Sequence, residues 1–350
     1  MMTSATKAGL RATGIALIAF VLASCKSEPP LPPPPPPVPP ITLAPKVIEQ
    51  ASAYRYYITR ATALTPDFAD GTAIASSLTT AVAYEPKQFL QGAIAYGAVI
   101  ALQDPAFVAA VRTFAANPEQ RRQVTFDILR DPNYVTSIDG SASAAGLVRA
   151  TLGGEGQKLY DAGKAVKQSA YDVQKQKWSK VEVANRPVRL AQAKALSAVT
   201  LVGDVAETAR LQDVALGTTP ITVIPEPATV PYSPAVVRSL AVAALAALGE
   251  GGDANVDTIM AIMADQNVGY CLNMSKLNTY QCLAVSKPHY EDIFCLGQHV
   301  MMDTAKCVIK ASGMPEPYEV RFIPTVRVAE AETPSKGSGK SGGKATSKKR

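Results

Sequence analysis

Histidine is almost absent from this chain: His289 and His299 are the only two in 350 residues, and Trp178 is the single tryptophan. Two histidines leave no room for a three-histidine zinc centre or for an HExxH helix. Charge is scarce as well, at 18% of residues. Past position 25 there is no apolar run of the roughly 18 residues that a membrane-spanning helix requires. Alternating Thr/Val patterns are sparse while Ala, Leu and Gln are frequent, which favours helices over sheets. The length allows about two domains and ample buried core.

The excess of positive charge is local. The formal net charge is +6, and residues 336–350 hold six cations and no acid: Lys336, Lys340, Lys344, Lys348, Lys349 and Arg350. The rest of the chain is therefore neutral, which argues against a nucleic-acid footprint spread over a folded body. The tail is a Gly/Ser-rich chain suited to lying along a polyanion such as lipid headgroups, acidic cell-wall polymer or nucleic acid, or to keeping the protein soluble. Its Gly337-Ser338-Gly339-Lys340-Ser341 run looks like part of a phosphate loop, but Pro334 stands where the first glycine belongs and no strand precedes it.

At the other end, Lys7 and Arg11 precede an apolar stretch, Ala12 to Val21, with no acid before Glu28. That is the layout of an export signal, too short for a spanning helix. It closes on Leu22-Ala23-Ser24-Cys25, which resembles the lipobox of bacterial lipoproteins. The resemblance covers about the first 25 residues and implies removal of residues 1–24 and lipid on the Cys25 sulfur. By the same comparison, Lys26 after the cysteine implies the outer membrane, with the chain facing the periplasm or the cell surface. Residues 25–45 then form a spacer: Pro29-Pro30, Pro32 to Pro37 and Pro39-Pro40 lack amide donors and fix φ. As polyproline II this rod would be about 35–40 Å long.

From Lys46 onward the apolar period is helical. Val47, Ile48, Ala51, Tyr54, Ile58 and Ala61 mark a first helix, and 68–84 and 86–103 read as two more. Asp104-Pro105, Asn117-Pro118 and Asp131-Pro132 each pair a capping side chain with a proline at the first helical position. Gly140 and the Gly153-Gly154-Glu155-Gly156 cluster read as breaks, with helices over 142–152 and 157–179 between and beyond them. Residues 186–212 read as one helix with a stripe of Val188, Leu190, Ala195, Leu196, Val199 and Val202. Five prolines between Gly217 and Pro234 mark an extended connector with room for one short strand. The expected division is a helical domain over 46–216, the connector over 217–234, a helical subdomain over 235–313 and an extended tail over 314–350. The fold class is all-α, a multi-helix bundle ending in a disulfide-bridged helical hairpin.

That hairpin rests on Cys271, Cys282, Cys295 and Cys307. In an exported chain four thiols imply two disulfides, with three pairings to choose from. Residues 272–286 and 290–310 read as helices around a turn at Lys287-Pro288-His289. Two cysteines eleven residues apart on one helix lie about 16 Å apart, beyond the ~7 Å Cα separation of a disulfide. Distances counted from the turn favour nested pairs, Cys282–Cys295 near it and Cys271–Cys307 at the open end. The layout is similar to the nested hairpins of twin-CX9C proteins in spacing only. No CxxC supports a redox dithiol, and the spacing of cysteines to His289 or His299 is not that of a zinc site.

No catalytic set emerges. Nothing reads as a serine elbow, and no carboxylate pair stands out; Glu155, Asp161 and Asp172 carry no mark that singles them out. His299 and Asp303 share a helix face, and His289 neighbours Glu291 and Asp292 at the turn, which read as capping or solvated residues. The sequence thus points to a non-enzymatic binding or scaffold module with no cofactor or metal. Its expected contacts are a membrane, through lipid, and an envelope protein or anionic wall or lipid partner, through the tail. The competing reading is a cell-wall or lipid hydrolase without a recognisable motif.

Overall fold

The computed structural model describes residues 37–220 and 226–318. Among them are thirteen α-helices and no strand beyond two isolated bridges. The fold is an all-α bundle that ends in a bridged helical hairpin.

The first helices follow their caps. Helix α1 (Pro45–Thr62) starts on proline. The Asp70 carboxylate accepts from the Thr72 and Ala73 amides at the head of α2 (Gly71–Val82), and Glu85 does the same for α3 (Pro86–Ala101). Asp104 caps α4 (Pro105–Ala115) and Asn117 caps α5 (Pro118–Arg130). The third Asx-Pro pair, Asp131-Pro132, opens only a 3-10 turn, Pro132–Ser137. In all of these but α1, a side-chain oxygen takes up an amide left orphan by the first turn.

Helix α6 (Ser141–Asp172) corrects the expected breaks at Gly153-Gly154 and Gly156, since it runs unbroken for 32 residues. The reason is tertiary. A Cβ on Gly156 would sit 2.7 Å from Ile309 Cγ1, and one on Gly163 would sit 2.7 Å from Met301 Cβ. These glycines let another helix approach almost to backbone contact, and that packing overrides their poor helix propensity.

The helix expected over 186–212 is two. Helix α7 (Arg186–Leu196) and α8 (Val205–Ala215) flank an irregular stretch. The Gln88 amide holds Leu201 by both its N–H and its carbonyl, each at 2.7 Å, and Asp204 caps α8 at Glu207 N. Val199 and Val202, expected on a buried stripe, are 49% and 85% exposed.

Helix α9 (Pro234–Leu248), capped by Ser233, is buried along almost its whole length and packs against α3, itself buried from Phe89 to Ala101. Helix α10 (Val256–Ile262) is short. Then come α11 (Gln266–Val285), α12 (His289–Cys295), a π-helical stretch over Leu296–Met302, and α13 (Asp303–Ser312). The last three form one rod packed along α6, and the buried apolar residues from α1 to α13 make one contiguous core.

No single described helix is long and apolar enough to cross a membrane, and α3 and α4, which together have that composition, meet at 88°. The end of the proline-rich spacer is fastened to the body: Arg112 donates to the Pro39 carbonyl, Thr42 N to Ala246 O and Ala44 N to Gly251 O. Residues 221–225, where a short strand was expected, lie outside the described residues.

Candidate binding site at the bridged hairpin

The two disulfides join Cys271 to Cys307 and Cys282 to Cys295, each with Cα atoms 5.7 Å apart. The nested scheme is the observed one. The turn between the arms is held from outside, by Val183 N donating to Lys287 O at 2.8 Å and His289 N donating to Val181 O at 3.2 Å. Within it, the Glu291 carboxylate accepts from Lys287 N at 2.8 Å.

The last carbonyls of α11 have no partner within the helix. Two arginines of α7 supply one. Arg186 donates to Ser286 O at 2.7 Å and to Ala284 O at 2.9 Å, while Arg189 donates to Leu283 O and pairs with Asp292. Cations suit a helix C-terminus, where the backbone dipole is negative. Asp292 also accepts from Ser286 Oγ at 2.7 Å. Burial raises its pKa above the ordinary carboxylate value, against the opposing pull of Arg189.

Helix α12 separates two hollows. The larger, about 460 Å³, is open and largely apolar, lined by Ala170, Tyr171, Val285, Tyr290, Phe294 and both cysteines of the inner disulfide, with Gln174, Ser286 and Glu291 as its polar members. Val285 is 74% and Tyr171 49% exposed at its mouth. The smaller, about 220 Å³, lies between α2, α7 and α12 and is edged by Asn185, Arg189, Gln192, His289 and Asp292. Asn185 there has a left-handed backbone, φ 52°.

No family model, curated protein or solved structure matches this chain.

The two histidines stay apart in role. His299 Nδ1 is 2.9 Å from Asp303 Oδ2, and Gln298 and Asn278 donate to the same carboxylate. The His289 ring lies against Gly71, where a Cβ would come within 2.6 Å of Nε2. Among the described residues no group of three or more His, Cys, Asp or Glu side chains is arranged to hold a metal. The acids of α6 do not converge: Glu155 pairs with Arg55, Asp161 accepts from Gln157 and Asp172 from Gln168. Arg55 also binds Glu207, and Arg210 binds Glu207 in turn, so these charges neutralise one another.

Sequence reasoning missed Lys276. It is the only charged residue of α11 and is buried. Its Nζ donates to Val82 O at 2.6 Å and lies 3.2 Å above the Tyr84 ring centroid. Burial pushes its pKa well below that of an ordinary lysine. The available signal was a lone cation among apolar residues at helical spacing. Cys25 and the basic residues Lys336, Lys340, Lys344, Lys348, Lys349 and Arg350 lie outside the described residues.

Proposed function

We propose that the chain is a lipid-anchored envelope protein that binds a partner without catalysing a reaction. The lipobox-like Leu22-Ala23-Ser24-Cys25 gives the address, as an outer-membrane lipoprotein facing the periplasm or the cell surface. Two disulfides support that address, because such bonds persist in oxidising compartments. The proline-rich spacer lifts the helical body off the headgroups, and the basic tail supplies a salt-sensitive contact to anionic wall or lipid material.

The observation that carries the binding reading is the apolar hollow beside the Cys282–Cys295 bridge. Its volume falls in the range of ligand-binding clefts, with few polar groups to orient a guest. The carboxylates that a hydrolase would use are instead tied up, Glu155 and Glu207 by Arg55 and Asp292 by Arg189. The one feature that favours the hydrolase reading is the smaller hollow, where His289 and Asp292 both face the cavity.

The test is retention of the mature chain without lipid (residues 26–350) on envelope material at rising salt. Removal of residues 336–350 is expected to abolish the salt-sensitive part, and Val285→Asp the salt-resistant part. Unchanged retention in both variants refutes the reading. Mass analysis of the native N-terminus checks the anchor: a bare Cys25 or an uncleaved leader removes the address.

A further inference from the structure

Helix α12 turns a different face to each hollow. At about 100° per residue, Tyr290, Glu291, Phe294 and Cys295 span about 140° of its circumference and line the larger one, while His289 and Asp292 line the smaller. Tyr171 arrives from α6 and makes a corner with α12. Its ring centroid is 6.2 Å from that of Phe294, and the two rings stand at 79°. The larger hollow is thus walled by three aromatic side chains and holds one charged group, Glu291. Among the described residues no Lys, Arg or His lines it.

The cations nearby are engaged elsewhere. Arg189 lines the smaller hollow and pairs with Asp292, and Arg186 donates to the Ser286 and Ala284 carbonyls. Lys167, whose Nζ lies 5.7 Å from the Phe294 centroid, is not in the lining. The Glu291 carboxylate accepts from a backbone amide, Lys287 N, which does not offset its charge.

We propose that the occupant is a soluble quaternary ammonium compound, an inference that rests on the larger hollow being a binding site. Aromatic faces are the negative side of the ring quadrupole and draw a cation held within about 6 Å of the centroid. A carboxylate beside them adds to that attraction and repels an anion. The kind of cation follows from the rest of the lining. A primary ammonium is strongly hydrated and brings three N–H groups that need acceptors. Here the walls are largely apolar, Ser286 Oγ is taken by Asp292, and one Glu291 oxygen is taken by Lys287 N. A quaternary ammonium brings no N–H and presents methyl groups, which pack on rings and on the disulfide. A hollow of about 460 Å³ suits a small molecule. With the anchor as proposed, the spacer keeps the body off the headgroups, so the source is a solute and not a lipid.

The mature chain without lipid (residues 26–350) is titrated with three probes under ligand-observed NMR: choline, its neutral isostere with carbon in place of nitrogen, and ethanolamine. Choline is expected to bind about tenfold or more tightly than either of the others. Glu291→Gln keeps an oxygen for Lys287 N and should weaken choline by about tenfold while leaving the isostere unchanged. Tyr171→Leu, at a side chain 49% exposed, should also weaken choline, with thermal unfolding unchanged in both variants. Equal binding of choline and its isostere overturns the proposal, as does equal binding of choline and ethanolamine. Choline binding that neither variant alters overturns it too. Sedimentation with neutral vesicles of a choline-headed lipid moves the headgroup to a membrane and overturns the soluble source. If choline fails to bind while Val285→Asp still removes the salt-resistant retention, the cation is lost and the binding site stands.

Discussion

Replacing Cys271 and Cys307 together by alanine should destabilise the protein more than replacing Cys282 and Cys295. The bridges close segments of very different length, with sequence separations of 36 and 13. If a bridge acts by restricting the unfolded chain, the loop relation gives about 3.8 kcal/mol for the outer bond and about 2.9 kcal/mol for the inner one. Because the loops are nested, the two values do not add. Their difference of about 1 kcal/mol survives, since the shared segment is removed from either total in the same way. Urea unfolding of the two double-alanine variants, without reductant, reads the difference from midpoints at a common slope. A second arm uses limited thiol reductant on the intact chain. Cys295 and Cys307 are equally buried, but the inner bridge lines the open hollow, so Cys282–Cys295 should open first in peptide mapping. An inner-bridge variant as unstable as the outer one would refute the loop-length argument, and prior reduction of Cys271–Cys307 would refute the access argument.

Two further expectations concern α6 and Lys276. Gly154→Ala should raise the thermal midpoint, because an added Cβ meets nothing within 4 Å and alanine gains up to ~1 kcal/mol in a helix. Gly297→Ala should lower it by ~1–3 kcal/mol, because its Cβ would lie 2.7 Å from Lys167 Cα and 2.8 Å from Gly163 O, both backbone; shifts of the same sign contradict the close-approach account. Burial holds the Lys276 pKa well below its ordinary 10.5, so between those values the unfolded chain binds more protons than the folded one. Stability should therefore rise with pH across that window and fall away as pH drops through the folded pKa. Lys276→Met, compared with the parent by urea unfolding at about pH 7 and about pH 9, should flatten that rise; equal slopes would show the lysine to be charged inside.

Much of the helix count was legible because capping is a local event. Asp104 and Asn117 each hold amides two or three residues ahead, and their Asx-Pro pairs spell out that geometry. Local signals misled where a distant element set the outcome. The α6 glycines look like breaks from within 141–172 and become packing sites only once α13 lies against them. The gap between α7 and α8 depends on Gln88, more than a hundred residues away. The hollow was not legible at all: Tyr171, Val285 and Phe294 come from three helices and share no spacing.

From the sequence alone came the helical class, the neutral body with its basic tail, and the nested cysteine pairing. All of these depend on composition, short motifs or the rise of a single helix. The tertiary structure alone decided that glycines continue a helix, that a lysine is buried under a tyrosine ring, and that α12 stands between two cavities. Those outcomes depend on which surfaces meet, and burial has no counterpart in the order of residues until the helices have packed.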